Sequence, residues 1–184
     1  MIANYGKFPD TLVINFSKEI LLGLEYLHHK HILHRDIKSS NLLVDDKGHC
    51  KLTDFGYAVT ESKKSHVSFI DEAYLRNSEM QSSVYWMAPE VVMNLFYSSG
   101  SDIWAFSCVV IEMFTAELPF GNDIGQIEAL FKIGKSMTPP LPANISNQAL
   151  DMLQKGLAID YKARPSASTL LRHPYLKKIF KTNK

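Results

Sequence analysis

The stretch from residue 102 to residue 114 (Asp-Ile-Trp-Ala-Phe-Ser-Cys-Val-Val-Ile-Glu-Met-Phe) is apolar on nearly every face of a helix. A helix on a protein surface has one apolar stripe, whereas a helix that is apolar all round must be covered on every side. The stretch therefore predicts a domain built around a buried central helix. Asp102 opens this helix, so its carboxylate must find buried hydrogen-bond donors.

The remaining patterns predict a fold that is mainly α with a small β-hairpin region. Short apolar pieces at 32–33, 42–44 and 50–52, separated by polar turns, predict short strands that form a hairpin. Residues 57–85 show no sustained periodicity and predict a functional or mobile segment. Further helices are predicted at 10–30 (from a stripe at three- and four-residue steps, with Asp10 as its cap), 124–133, 146–158 and 166–172.

The charge balance argues against a general attraction to nucleic acid. The 184 residues contain 20 Lys and Arg against 19 Asp and Glu, a net charge of +1, and no basic patch is apparent. No apolar run reaches the length of a membrane span. Two cysteines are too few for a disulfide framework and favour a reducing compartment, so we expect a cytoplasmic protein.

Polar residues crowd the sides of the predicted hairpin. His34-Arg-Asp-Ile-Lys-Ser-Ser-Asn41 precedes it, and Asp54-Phe-Gly56 follows it. Amide and carboxylate oxygens together with a cation suit a magnesium–phosphate site, because Mg²⁺ takes a few protein oxygens and completes its shell with phosphate and water. A second carboxylate nearby, that of Asp36, is suited to orienting a hydroxyl nucleophile.

These motifs occur in an order that resembles the C-terminal lobe of a eukaryotic protein kinase. Ala88-Pro-Glu90, Asp102-Ile-Trp104 and Arg164 continue the series. The resemblance implies that residues 1–184 form a single partial kinase domain of α+β class. Its parts would be the helix at 10–30, the catalytic loop at 34–41, the activation segment at 54–90 and a helical remainder at 91–176.

The resemblance also implies the roles of the central residues, with ATP and Mg²⁺ as cofactors. Asp36 and Lys38 are expected to be catalytic: the first accepts the substrate hydroxyl proton and the second neutralises the transferred phosphoryl group. Asn41 and Asp54 are the expected magnesium ligands, and Leu43 is expected to pack under the adenine ring. Lys38 favours serine/threonine over tyrosine specificity, because typical tyrosine kinases lack a lysine there.

Further residues carry regulatory or structural expectations. Arg35 is expected to hold a phosphorylated activation segment, with Ser78 the favoured phosphosite. The Ser83 hydroxyl is expected to form hydrogen bonds with Asp36 and Lys38, although Ser82 and Ser83 stand where Gly-Thr is usual. The residues expected to be structural are His34, Phe55, Glu90, Asp102 and Arg164, with Phe55 in the core and Glu90 paired with Arg164.

The stretches at 84–90 and 173–176 resemble the sterile-type group, whose members act upstream in MAP-kinase cascades. The expected partners are a protein substrate and an upstream kinase. Residues 1–184 contain no glycine-rich phosphate loop, and no strand with the phosphate-binding lysine precedes the catalytic loop. The N-terminal lobe is therefore expected to be absent. Two functions stay open: a serine/threonine kinase represented by a fragment inactive alone, or a non-catalytic kinase-like module that binds other proteins.

Overall fold

The structure is a computed structural model, and it describes residues 6–61, 67–68, 82–93 and 95–177. Within these ranges the fold is mainly helical, with strands of two or three residues, so the predicted balance of helix and strand is confirmed. The helices are α1 (Asp10–His29), α2 (Pro89–Val92), α3 (Ser99–Thr115), α4 (Gln126–Gly134), α5 (Asn147–Gly156) and α6 (Ala167–Leu171). The strands are β1 (Ile32–Leu33), β2 (Leu42–Val44), β3 (Cys50–Leu52), β4 (Val59–Thr60), β5 (Val67–Ser68) and β6 (Tyr97–Ser98). Single 3₁₀ turns span Ser39–Asn41, Val84–Trp86 and Tyr161–Ala163.

Helix α3 is the predicted central helix, and every residue from Ser101 to Met113 is buried. It begins three residues earlier than the apolar run, because Ser98 and Ser101 form a reciprocal capping box. Such a cap supplies partners for backbone N–H groups that the first turn leaves unpaired. Helices α1 and α5 pack against α3, which places it at the centre of the hydrophobic core.

Helix α1 buries the face formed by its apolar stripe, with Ile20, Leu21 and Leu24 fully covered. The prediction that Asp10 caps this helix is wrong: Pro9 occupies the cap position and no side chain caps the end. Asp10 is instead the first helical residue, and its carboxylate accepts a hydrogen bond from the Tyr175 hydroxyl at 2.9 Å. Nowhere in the described ranges does a helix combine the length and apolarity needed to cross a bilayer.

Strands β2 and β3 form the predicted antiparallel hairpin, with Leu42 opposite Leu52. Strand β1 does not join it, because it pairs antiparallel with β4, which lies inside the segment predicted to lack regular structure. Strand β5 pairs with β6 in the same antiparallel sense. Within the described residues, the strands therefore form three separate two-stranded sheets.

Helices α3 and α5 are in close contact at Ser107 and Gly156. A Cβ atom built on Gly156 would clash with Ser107 Oγ. Ser107 is buried, and its hydroxyl donates to the Ile103 carbonyl oxygen at 2.9 Å. Glycine at 156 thus leaves the space that the serine hydroxyl on the facing helix occupies.

Candidate active site

Asp36 and Lys38 meet in a buried polar cluster that also contains Ser83. Asp36 Oδ2 lies 3.0 Å from Lys38 Nζ, and Asp36 Oδ1 accepts a hydrogen bond from the Ser83 hydroxyl at 2.6 Å. Lys38 Nζ donates to Ser83 Oγ at 2.8 Å, which closes the triangle. Both hydrogen bonds expected of Ser83 are therefore present, and a carboxylate, an ammonium and a hydroxyl lie within contact of one another.

Asn41 joins the same cluster from the start of the hairpin. Its Nδ2 donates to Asp36 Oδ2 at 2.8 Å and to the Asp36 carbonyl oxygen at 2.9 Å. Because the amide nitrogen faces Asp36, the amide oxygen is turned away from that carboxylate. Thr53 binds the Asn41 carbonyl oxygen through both its N–H and its hydroxyl, each at 3.0 Å. The hairpin ladder therefore continues one step beyond β2 and β3.

Asp54 follows this last rung, so it emerges at the same end of the hairpin as Asn41. It is exposed, and its backbone has a φ of 62°, in the left-handed region. Its Oδ1 accepts from the Gly56 N–H at 3.3 Å. The tight turn after β3 thus presents a carboxylate, while the start of β2 presents an amide oxygen. Two oxygen donors at one end of a hairpin suit a hard divalent cation.

Asp102 holds the backbone of the catalytic loop from the first turn of α3. Its Oδ2 accepts from His34 N and its Oδ1 from Arg35 N, both at 3.1 Å. The Tyr97 hydroxyl and His28 Nε2 complete the shell at 3.1 and 2.9 Å. Burial alone would raise the pKa of Asp102, but these donors, His28 foremost, bring its pKa below the ordinary value. The buried donors required by the sequence are therefore two backbone amides and two side chains.

His28 is a contact of Asp102 that the sequence analysis does not identify. A signal was present: His28 lies four residues after Leu24 and seven after Leu21, on the buried face of α1. A polar residue continuing an apolar stripe needs a buried partner. Here that partner is the carboxylate of Asp102.

His34 is fully buried and ties the catalytic loop to the end of β3. Its Nδ1 accepts from Asp36 N at 3.4 Å, and its Nε2 lies 3.2 Å from the Thr53 carbonyl oxygen. These contacts suit a ring that accepts at Nδ1 and donates from Nε2, and they describe a structural residue.

Phe55 was expected in the core, and this prediction is wrong. The side chain is 49% exposed and packs its ring 4.9 Å from that of His34. Asp54, immediately before Phe55, has a left-handed backbone conformation that turns the chain at this point. Leu43, the residue expected under the adenine, is 58% exposed. Each of these two residues therefore presents an exposed apolar side chain.

Arg35 is 6% exposed, with a left-handed φ of 71°, and its guanidinium lies 5.9 Å from the centre of the Tyr97 ring. Ser78, its expected phosphorylated partner, lies outside the described residues. Glu90 and Arg164, by contrast, are brought into direct contact inside the protein.

Glu112 is a second residue that the sequence interpretation missed. It lies on α3 and is buried, with its carboxylate between Ser39 of the catalytic loop and Trp86 of the segment before α2. Burial raises its pKa to about 7, against the smaller lowering effect of the two hydrogen bonds. A glutamate inside an otherwise apolar helix was the available signal, because a buried carboxylate must be hydrogen-bonded.

Comparison with known proteins identifies the family of this chain. Residues 1–176 match the protein kinase domain. The chain is 46% identical over 176 residues to serine/threonine-protein kinase STE11 of Saccharomyces cerevisiae, covering 96% of this chain and 24% of that protein. It is 41% identical over 177 residues to mitogen-activated protein kinase kinase kinase 2 of Arabidopsis thaliana, covering 96% and 26%.

Mitogen-activated protein kinase kinase kinase A of Dictyostelium discoideum is 37% identical over 177 residues, covering 96% of this chain and 18% of that protein. The chain thus spans about a quarter or less of the length of these curated relatives. The match to the family covers nearly all of the chain and includes the catalytic loop, the segment around Ser83 and helix α3. The chain therefore belongs to the protein kinase family, and it resembles the serine/threonine kinases of the sterile-type group.

Proposed function

We propose that this chain is the C-terminal lobe of a protein kinase that transfers the γ-phosphoryl group of ATP to a serine or threonine hydroxyl of a protein. The observation that carries the proposal is the contact of Asp36 with Lys38, Ser83 and Asn41. A buried carboxylate with three polar partners is held in one orientation, as a residue that receives a proton in phosphoryl transfer must be.

The residues at the open end of the hairpin fit a magnesium-bound nucleotide. The Asn41 amide oxygen is turned away from Asp36, and Asp54 lies at the same end of the hairpin, so the donor set is of the oxygen type that Mg²⁺ prefers. Bound Mg²⁺ would neutralise charge on the phosphates during transfer. Leu43 offers an exposed apolar side chain for one face of the adenine.

Asp36, Lys38 and Ser83 have separate roles in the proposed phosphoryl transfer. Asp36 accepts the proton of the attacking hydroxyl as the bond between that oxygen and the γ-phosphorus forms and the bond from phosphorus to the β,γ-bridging oxygen breaks. Lys38 places its ammonium against the phosphoryl oxygens, because its anchor to Asp36 and Ser83 fixes the side chain. Ser83 holds the Asp36 carboxylate and the Lys38 ammonium in a fixed relative position through its two hydrogen bonds. The retention of all these contacts favours catalysis over a purely protein-binding module.

The names of the relatives identify mitogen-activated protein kinase kinase kinases, so the substrate we propose is another protein kinase, of the MAP kinase kinase class. An upstream kinase would act on the activation segment. We also propose a cytoplasmic location, supported by the balanced charge and by two cysteines that are both unpaired and buried. Imaging of the tagged protein tests the location.

The assignment to the C-terminal lobe is supported by the exposed apolar side chains of Leu43 and Phe55, which a second lobe would cover. Residues 1–184 expressed alone should bind Mg-ATP weakly or not at all, because the nucleotide would have one apolar face open to water. A thermal-shift titration checks this: a saturating stabilisation at micromolar Mg-ATP would contradict it. Fusing the small lobe of a related kinase ahead of Asn4 should restore nucleotide binding.

The fusion protein provides the test of the catalytic assignment. Asp36→Asn should lower the turnover number by roughly 10²–10⁴-fold while leaving nucleotide binding nearly unchanged. Asp46→Asn is the matched control, because Asp46 is an exposed carboxylate of the hairpin turn. Equal turnover in the two variants would overturn the assignment of Asp36. If the fusion protein phosphorylated only tyrosine residues, the proposed serine/threonine specificity would be wrong.

A further inference from the structure

Glu112 connects α3 to the two 3₁₀ turns that flank the candidate active site. Its Oε1 accepts a hydrogen bond from the Ser39 hydroxyl at 3.0 Å. Its Oε2 accepts from Trp86 Nε1 at 2.6 Å. One carboxylate therefore holds side chains from two segments that are far apart in the sequence.

Each of these segments carries a residue that binds Asp36. Ser39 begins the 3₁₀ turn that ends at Asn41, and the 3₁₀ turn that ends at Trp86 follows directly after Ser83. Both turns are closed by backbone hydrogen bonds, from Asn41 N to Lys38 O at 3.0 Å and from Trp86 N to Ser83 O at 3.1 Å. Displacing Ser39 or Trp86 would therefore displace a partner of Asp36.

No basic side chain in the described ranges forms an ion pair with Glu112. Lys38 is bonded to Asp36 and Ser83, and Arg164 is bonded to Glu90. The titratable and charged groups on the elements around Glu112 are Asp102 and Cys108 on α3, His34, Arg35, Asp36 and Lys38 on the catalytic loop, Cys50 and Lys51 on β3, Tyr85 and Glu90 around the second turn, and Arg164.

We propose that Glu112 is a positioning residue that fixes the Asn41 and Ser83 segments to α3, and that its two hydrogen bonds are strongest when its carboxylate is ionised. The positioning role rests on the proposed function, whereas the hydrogen bonds and their dependence on ionisation do not. An ionised acceptor forms shorter and stronger hydrogen bonds than a neutral one. Because burial brings the pKa of Glu112 to about 7, the two forms exchange near neutral pH.

The indole N–H of Trp86 reports the state of Glu112 directly. The chain has two tryptophans, so a ¹H–¹⁵N spectrum contains two indole signals, and Trp86→Phe assigns them. We expect the Trp86 proton to move downfield as the pH rises from 5.5 to 8.5, with a midpoint near the value for Glu112. The Trp104 signal serves as an internal reference, because its ring lies against Arg164 rather than Glu112. Glu112→Gln should abolish the transition.

Ser39→Ala makes the test independent of the Glu112 variant, which could fail to fold. Removing this donor withdraws a bond that favours the ionised carboxylate, so the midpoint of the Trp86 transition should move to higher pH. Ser40→Ala is the matched control, since the neighbouring hydroxyl is exposed, and it should leave the midpoint unchanged. If Glu112 had only a packing role, the midpoints of the Trp86 transition in Ser39→Ala and Ser40→Ala would not differ.

Amide hydrogen exchange measures the positioning itself. At pH 7.5, Glu112→Gln should accelerate exchange at Asn41 and Trp86 by about tenfold or more relative to Glu128→Gln, a substitution on the surface of α4. The free energy of unfolding is measured on the same samples. It shows whether faster exchange reflects local opening at these amides or unfolding of the whole protein. A Trp86 signal constant across the pH range, a transition retained in Glu112→Gln, or equal midpoints for the two serine variants would overturn the proposal. None of these measurements depends on phosphoryl transfer, so their outcome distinguishes a failure of this proposal from a failure of the proposed kinase activity.

Discussion

The guanidinium of Arg164 makes two parallel hydrogen bonds to the carboxylate of Glu90, with Nη1–Oε1 at 2.7 Å and Nη2–Oε2 at 2.9 Å. The arginine side chain is fully buried and the glutamate side chain is 6% exposed. Arg164 also donates to the carbonyl oxygens of Ala158 and Gly100, and Ser101 donates to Glu90. The pair therefore joins the start of α2 to the C-terminal third of the chain.

Removal of one partner should be severe, because it leaves a buried charge without compensation. Arg164→Ala should lower the free energy of unfolding by about 3–5 kcal/mol. Urea denaturation measures the loss, and Arg172→Ala serves as the control, because Arg172 is exposed. Equal denaturation midpoints for the two variants would mean that the ion pair contributes nothing to stability.

The contact between Ser107 and Gly156 predicts a non-additive pair of substitutions. Gly156→Ala should destabilise the protein by about 1–3 kcal/mol, because the new methyl group forces the Ser107 hydroxyl out of its hydrogen bond to Ile103. Adding Ser107→Ala should recover part of this loss, since the obstructing oxygen is gone. A double-mutant cycle by chemical denaturation gives the coupling. Strict additivity of the two changes would contradict the steric explanation.

Glu112 should make stability depend on pH in a direction opposite to that of most carboxylates. Its pKa rises from 4.5 to about 7 on folding, so between these values the folded protein holds a proton that the unfolded chain has released. The associated stability is present below pH 4.5 and is lost as the pH rises through 7. Relative to Glu112→Gln, the wild type should lose about 3 kcal/mol of unfolding free energy between pH 4.5 and pH 8. A pH-independent difference would be inconsistent with a buried carboxyl group.

Ser83 should be replaceable by threonine but not by alanine. In the two-lobed fusion protein, Ser83→Ala removes the bonds to Asp36 and Lys38 and should lower turnover about tenfold or more. Ser83→Thr keeps the hydroxyl and should retain most of the activity. Ser82→Ala, at the exposed neighbouring position, is the control. Full activity of the alanine variant would remove Ser83 from the site.

Sequence patterns predicted the helices well where a long apolar period was present. The ends of α1, α4, α5 and α6 fall within about two residues of the predicted limits. Strand β4 was missed because a two-residue strand has too few positions to show an alternation. The early start of α3 was missed because its capping box precedes the apolar run.

Prediction of the site was limited by long-range pairing. The motifs drew attention to Asp36, Lys38, Asn41 and Ser83, which the fold brings together. The partners of Asp102 and Glu112 depend on which side chains meet across helices, and periodicity shows only that a buried polar group needs a donor. The exposure of Phe55 follows from the direction of one turn, which composition does not reveal.

The bonds from Asp102 to the His34 and Arg35 amides have a consequence for mutational tolerance. Both donors belong to the main chain, so replacing either side chain leaves them in place. Proline is the exception, since it has no N–H to donate. The placement of the catalytic loop on α3 is therefore protected from most point substitutions within the loop, whereas a single change at Asp102 would release both anchors at once.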